Sequence, residues 1–211
     1  MSRPAISYIF ALFLGSWISG CSSSGMDQAQ CQTADWRAVG YEDGSQGRGG
    51  TMLGTHRKNC AEHGVTPSFA AYMDGHAQGI REFCRPQNGY RLGTGGYRYN
   101  GVCPVELERD FLAAHSDGLG LYQRRAAVDR LHRRISRTKY RSNEVERLLA
   151  SKTAALVSPL LLPSQRLAIG VELKQLTEER IEIERSLEQL QIDLEQAQND
   201  YQGYRDNLAH R

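Results

Sequence analysis

No cysteine follows Cys103, no proline falls between Val105 and Val157, and no apolar run after the first twenty residues is long enough to cross a bilayer. The first absence leaves the second half of the chain without covalent staples. The second permits a very long uninterrupted helix, because proline is the residue that breaks one. The third excludes a spanning helix after the first twenty residues, since such a helix needs about 20 apolar residues. None of the cysteines has a CxxC partner, which argues against a zinc ribbon. The glycine-rich stretch around Gly93, Gly95 and Gly96 lacks a following Lys-Ser/Thr, which argues against a phosphate-binding loop. Charge is almost balanced, with 26 Lys and Arg against 24 Asp and Glu, a net of +2. That balance gives no reason to expect a nucleic-acid partner.

What is present begins with a leader. Arg3 and the free amine supply positive charge, an apolar run extends from Ala5 to Ile18, and Ser19-Gly20-Cys21 follows. Length and flanks suit a signal peptide over residues 1–20. Two small residues directly before a cysteine resemble the bacterial lipoprotein signal. The resemblance implies cleavage before Cys21, a diacylglycerol on its sulfur and an acyl chain such as palmitate on its amine. Each buried methylene contributes about 0.8 kcal/mol, so several chains anchor firmly. Ser22 after the cysteine, where Asp would favour inner-membrane retention, points to the periplasmic face of the outer membrane. Residues 21–30 then form a short Ser/Gly/Gln tether.

Four cysteines remain: Cys31, Cys60, Cys84 and Cys103. An even number in an exported chain implies two disulfides, with three possible connectivities. The pairing Cys31–Cys60 with Cys84–Cys103 is favoured, because the second bond would close the glycine-rich turn between its ends. The competing zinc reading rests on His56 and His63 flanking Cys60.

Residues 31–104 are rich in Gly, Tyr and His, and form a small domain that depends on its staples. A degenerate repeat runs through this part and just beyond it. Gly40-Tyr41-Glu42-Asp43-Gly44 returns as Ala71-Tyr72-Met73-Asp74-Gly75 and as Ala114-His115-Ser116-Asp117-Gly118, each with a further glycine downstream at Gly47, Gly79 and Gly120. Glycine inside a helix costs up to about 1 kcal/mol, so close packing of backbones is the simplest compensation. The functional alternative brings Asp43, Asp74 and Asp117 together with Tyr41, Tyr72 and His115 in a ligand-binding or hydrolytic site. Three carboxylates with no clear base or nucleophile define no reaction, so no catalytic residue is assigned. Between the repeats, Tyr90, Tyr97 and Tyr99 sit among glycines in an expected loop or short β-ribbon, where they could stack on sugar rings.

The runs Cys31-Gln-Thr-Ala-Asp-Trp36, Cys60-Ala-Glu-His63-Gly64, Asn88-Gly89-Tyr90 and Gly101-Val102-Cys103-Pro104, with the Asp-Gly motifs, resemble an uncharacterised proteobacterial lipoprotein family, domain of unknown function 2799. The resemblance covers about residues 31–122. It implies an envelope lipoprotein and brings no activity or catalytic residues.

From 105 to 211 the composition turns to Arg, Glu, Gln and Leu, and Pro159 and Pro163 interrupt it once. Residues 158–164 are therefore a turn, with Ser164 available as an N-cap. A 4–3 seam runs through Leu173, Leu176, Ile183, Leu187, Leu190 and Leu194, and a weaker one through Val128, Leu131, Ile135, Val145 and Leu149. Folding back at the prolines pairs positions whose numbers sum to about 322, which matches the seams as an antiparallel coiled coil. Gly118 then falls opposite Tyr204. The first arm carries a net +7 from 121 to 157, and the second a net −4 from 164 to 211. The first arm reaches about 60 Å. Its end, Leu160-Leu161-Leu162, is an apolar tip that either caps the hairpin or docks a partner.

The expected molecule is mainly α: a small disulfide-stapled domain followed by a long helical hairpin. The expected role is structural or interactive in the cell envelope, with the membrane bound through the lipid and a protein partner or a second copy bound by the body. No cofactor and no metal is expected.

Overall fold

The computed structural model describes residues 25–210, so the leader and Cys21 lie outside the described residues. Seven α-helices and no strand occur among the described residues. They are α1 (Gln28–Thr33), α2 (Trp36–Ser45), α3 (Met52–Ala61), α4 (Phe69–Phe83), α5 (Pro86–Thr94), α6 (Val105–Leu156) and α7 (Pro163–Ala209).

Local chemistry sets the boundaries. The Asp27 side chain accepts the Gln30 N–H at 2.8 Å at the start of α1, and Asp35 accepts from Arg37 and Ala38 at the start of α2. Ser68 caps α4. Pro86 and Pro163 occupy the first positions of α5 and α7, where the missing N–H is no loss. Ser164 is thus inside the first turn of α7 rather than its cap, and Gln165 Oε1 accepts the Leu162 N–H instead at 2.9 Å.

Two pairs of helices make the compact part. Gly40 and Gly44 of α2 lie against Gly75 and Gly79 of α4 so closely that a Cβ at Gly75 would overlap the Arg37 carbonyl oxygen, and one at Gly79 the Tyr41 carbonyl. The facing numbers rise together, so α2 and α4 run parallel. Gly89 and Gly93 of α5 meet α6 in the same way, against the carbonyls of Phe111 and His115, and Gly118 of α6 meets the carbonyl of Tyr90. Of the segment expected as a loop or β-ribbon, residues 95–101 are a loop without a strand, and the part up to Thr94 is the helix α5. Its glycines are spaced four apart because they are a packing face, and only residues after Thr94 form a turn.

Two disulfides, Cys31–Cys60 and Cys84–Cys103, staple this part, as the favoured pairing required. Ile80, Cys84, Cys103 and Phe111 form the buried core, with Phe83 and Tyr99 ringing Phe111 at centroid distances of 5.5 and 5.0 Å.

The arm begins inside this core, since Phe111 to Leu119 of α6 pack on α5. Beyond them α6 pairs with α7. Arg124 meets Asp200 at 3.2 Å, Arg141 meets Glu179 at 2.6 Å, and Lys152 meets Glu172. The numbers of these pairs total between 320 and 324, the register expected from the seams. Ile135, Val145, Ile183 and Leu190 are the buried seam residues. One pairing shifts: the glycine under the Tyr204 ring is Gly120, because Gly118 is taken by α5.

Candidate functional site

Close approach of α2 and α4 carries Asp43 into the interior, where it is 3% exposed. Three donors from three elements meet its carboxylate. The Tyr72 hydroxyl of α4 donates to Oδ2 at 2.7 Å, His56 Nε2 of α3 reaches the same oxygen at 2.8 Å, and Arg48 Nη1 reaches Oδ1 at 3.1 Å. A carboxylate only accepts, so Nε2 of His56 carries the proton. His76 Nε2 donates in turn to the Arg48 carbonyl at 2.7 Å and fixes the loop that bears the arginine. Trp36, His56, Tyr72 and His76 form a ladder of rings with successive centroids 6.3, 6.0 and 6.0 Å apart.

The electrostatics follow from these contacts. Burial pushes the Asp43 carboxyl up, but hydrogen bonds from Tyr72 and His56, the His56 charge and the Arg48 hydrogen bond more than reverse this and hold it below its ordinary value. Burial raises the Tyr72 phenol, and its bond to Asp43 raises it further.

A carboxylate oriented on an imidazole is half of a general-base arrangement. The other half needs a nucleophile at the second ring nitrogen, and Nδ1 of His56 is buried without a hydrogen-bond partner. Through its hydrogen bonds the cluster ties α2, α3, α4 and the loop bearing Arg48 together. Beside it opens a cavity of about 450 Å³ whose wall includes Gln30, Glu42, Arg48, Thr55, His56 and Asn59.

The three motif aspartates do not meet. Asp43 is in the buried cluster. Asp74 pairs with Arg37 at 3.0 Å on the surface. Asp117 belongs to the α5–α6 pair, where its carbonyl accepts the Tyr204 hydroxyl at 3.3 Å. The rings diverge too. Tyr72 is buried, Tyr41 is exposed, and His115 Nε2 donates to the Tyr97 carbonyl at 2.8 Å. Gly44, Gly75 and Gly118 share one role, close helix contact, whereas the downstream glycines have three: Gly47 makes a left-handed turn at φ 73°, Gly79 faces Tyr41, and Gly120 faces Tyr204. Of the loop tyrosines, Tyr90 and Tyr97 are exposed, while Tyr99 is bound inward, donating to Glu108 and accepting the Cys103 N–H. Cys60 is in a disulfide, which removes the thiolate a zinc site would need, and no cluster of three metal-binding side chains occurs among the described residues.

At the far end of the arm, Leu160 is 89% and Leu162 61% exposed, while Leu161 is half-buried. The turn beneath them is fastened by Arg166, whose guanidinium donates to the carbonyls of Leu156, Ser158 and Leu161 at 3.4, 2.9 and 3.5 Å. The leucines are thus held outward on an ordered turn. No helix of the described residues is long and apolar enough to cross a membrane.

Residues 35–120 match a family described as "Protein of unknown function (DUF2799)", so this stretch carries an uncharacterised domain. No curated protein and no solved structure matches the chain. The match runs from the start of α2 to Gly120, where α6 leaves α5 and meets α7. The family domain therefore coincides with the two glycine-lined helix pairs, and the arm is added to it.

Proposed function

We propose that the protein is a lipid-anchored envelope lipoprotein, held through Cys21 on the periplasmic face of the outer membrane, whose arm carries an apolar tip to a protein partner. Arg3, the apolar run and Ser19-Gly20-Cys21 support the anchor. The observation that carries the interaction role is the tip. Leu160 and Leu162 stand in water on a turn that Arg166 closes, at the end of a hairpin paired along its length. Exposed leucines on an ordered support are a contact surface rather than a frayed end.

Two measurements test this reading. Mass spectrometry of the mature chain should find acyl chains on Cys21 and lose them in Cys21→Ser; an unmodified Cys21 overturns the anchor. Crosslinking in intact cells should yield a heterologous protein adduct that Leu160→Ser with Leu162→Ser abolishes, with the helical circular dichroism unchanged. An adduct that persists at full yield overturns the tip.

A second reading, a ligand- or glycan-binding module, is favoured by the cavity beside Asp43 and His56. Soluble peptidoglycan fragments should then raise the melting temperature, and Thr55→Trp, which fills the cavity, should remove the rise.

A further inference from the structure

Helix α7 has two faces with helical periodicity. One bears the seam, with Ile183 and Leu190 buried against α6. The opposite face repeats the same 4–3 spacing in residues that are all exposed: Leu167, Val171, Lys174, Glu178, Ile181, Arg185, Glu188 and Ile192. At 100° per residue, half a turn separates this stripe from the seam. Among the described residues nothing covers it, and Arg185 and Glu188 make no ion pair.

We infer that a second copy of this chain docks on this face, with the two α7 helices antiparallel about a two-fold axis at Ile181. The order of residues is what selects the occupant. Reversing the stripe onto itself sets Val171 against Ile192, Lys174 against Glu188, Glu178 against Arg185, and Ile181 against its own copy. Between Val171 and Ile192 every apolar position meets an apolar one and every charge meets its opposite, as an isologous contact requires, while Leu167 falls beyond this overlap, opposite Glu195. A parallel pair would instead place Lys174, Glu178, Arg185 and Glu188 each on its like, and like charges in contact repel. Lys174 and Glu178 now face each other along the helix at 3.8 Å. Such an exposed pair exchanges partners at small cost.

The overlap from Val171 to Ile192 is about 32 Å long, which makes a narrow contact and a weak, concentration-dependent dimer. Both tips lie outside the overlap, and the compact parts lie at opposite ends. The proposal gives the arm's interaction role a partner while resting on α7 alone. Its failure would leave the Leu160 and Leu162 test standing, and the reverse also holds.

Sedimentation of the full chain in detergent tests it. The wild type should pass from monomer to dimer with rising concentration. Glu178→Arg, which sets arginine against arginine twice, should weaken the dimer by roughly tenfold or more. Adding Arg185→Glu to that variant should restore it. Under mild oxidation Ile181→Cys should form a disulfide-linked dimer, whereas Val171→Cys alone should not. A wild type that stays monomeric to about millimolar concentration overturns the inference. So does a Glu178→Arg variant that associates like the wild type, a double variant that is not restored, or equal crosslinking at 171 and 181.

Discussion

The hydroxyl of Tyr72 donates to Asp43 Oδ2 at 2.7 Å across the α2–α4 contact, and both side chains are shut away from water. The two residues occupy different positions in their copies of the Asp-Gly repeat, the ring position in one and the carboxylate position in the other. The repeat thus supplies both halves of one bond, which is possible because the glycines let the two helices run parallel at backbone contact.

Removing either half leaves a buried polar group short of a partner. Tyr72→Phe should cost about 1–3 kcal/mol in urea denaturation. Asp43→Asn should cost about 3–5 kcal/mol, since it strips the charge that three donors surround. Asp74→Asn, whose partner Arg37 is exposed with it, should stay within about 1 kcal/mol of the wild type. Equal losses at 43 and 74 would contradict the placement of the two carboxylates.

Stability should carry an acid signature. Asp43 is held below its ordinary carboxylate value in the folded protein. A depressed group stabilises the fold above its unfolded value, about pH 4, and loses that contribution as pH falls through the folded value. The stability gap between wild type and Asp43→Asn should therefore be widest above about pH 5 and shrink steadily below about pH 4. A gap that is flat with pH would show that the charge contributes nothing.

Glycine substitutions should change sign with position. A Cβ at Gly75 would overlap the Arg37 carbonyl oxygen, and the neighbour is backbone that cannot turn aside. Gly75→Ala should thus destabilise by about 1–3 kcal/mol or more. Gly170 lies inside α7 with open space around it, so Gly170→Ala should stabilise by about 0.5–1 kcal/mol. Thermal denaturation of the two variants separates the cases.

In the arm, burial should outweigh charge. Val145 is fully buried in the seam, whereas Arg141, beside it and bonded to Glu179 and Glu144, is largely exposed. Val145→Ala should cost about 1–3 kcal/mol, and Arg141→Ala should cost clearly less than Val145→Ala, its effect shrinking further in high salt. A larger loss for the arginine would mean that ion pairs, not the seam, hold the hairpin.

The arm was legible from residue numbers because a seam is a one-dimensional pattern, and Ile135, Val145, Ile183 and Leu190 could be matched without knowing anything distant. Of the three possible disulfide pairings, the one that closes the glycine-rich turn between Cys84 and Cys103 is the one formed. The helix α5 was not legible, because Gly89, Gly93, Gly95 and Gly96 were weighed as composition, and composition favours loops. Their signal was spacing: Gly89 and Gly93 stand four apart, as do Gly40 and Gly44 or Gly75 and Gly79, directly after a proline suited to a first turn. The Asp43 cluster was half visible. Its Asp and Tyr stood out in the repeat, but the convergence of His56 and Arg48 on Asp43 depends on how the chain returns after α2, which no local pattern encodes. His56 attracted notice only as a neighbour of Cys60.

Helix α6 passes from the Phe111 core to Leu156 without a break. Mechanically it is a lever whose fulcrum is buried beside a disulfide. From Leu119 to Leu156 it extends about 55 Å, so a tilt of about 10° at the α5 contact sweeps the leucine tip through roughly 10 Å. The glycine contacts that set the angle of α5 on α6 thereby set where the tip points, and a bulky side chain at Gly93 would steer it.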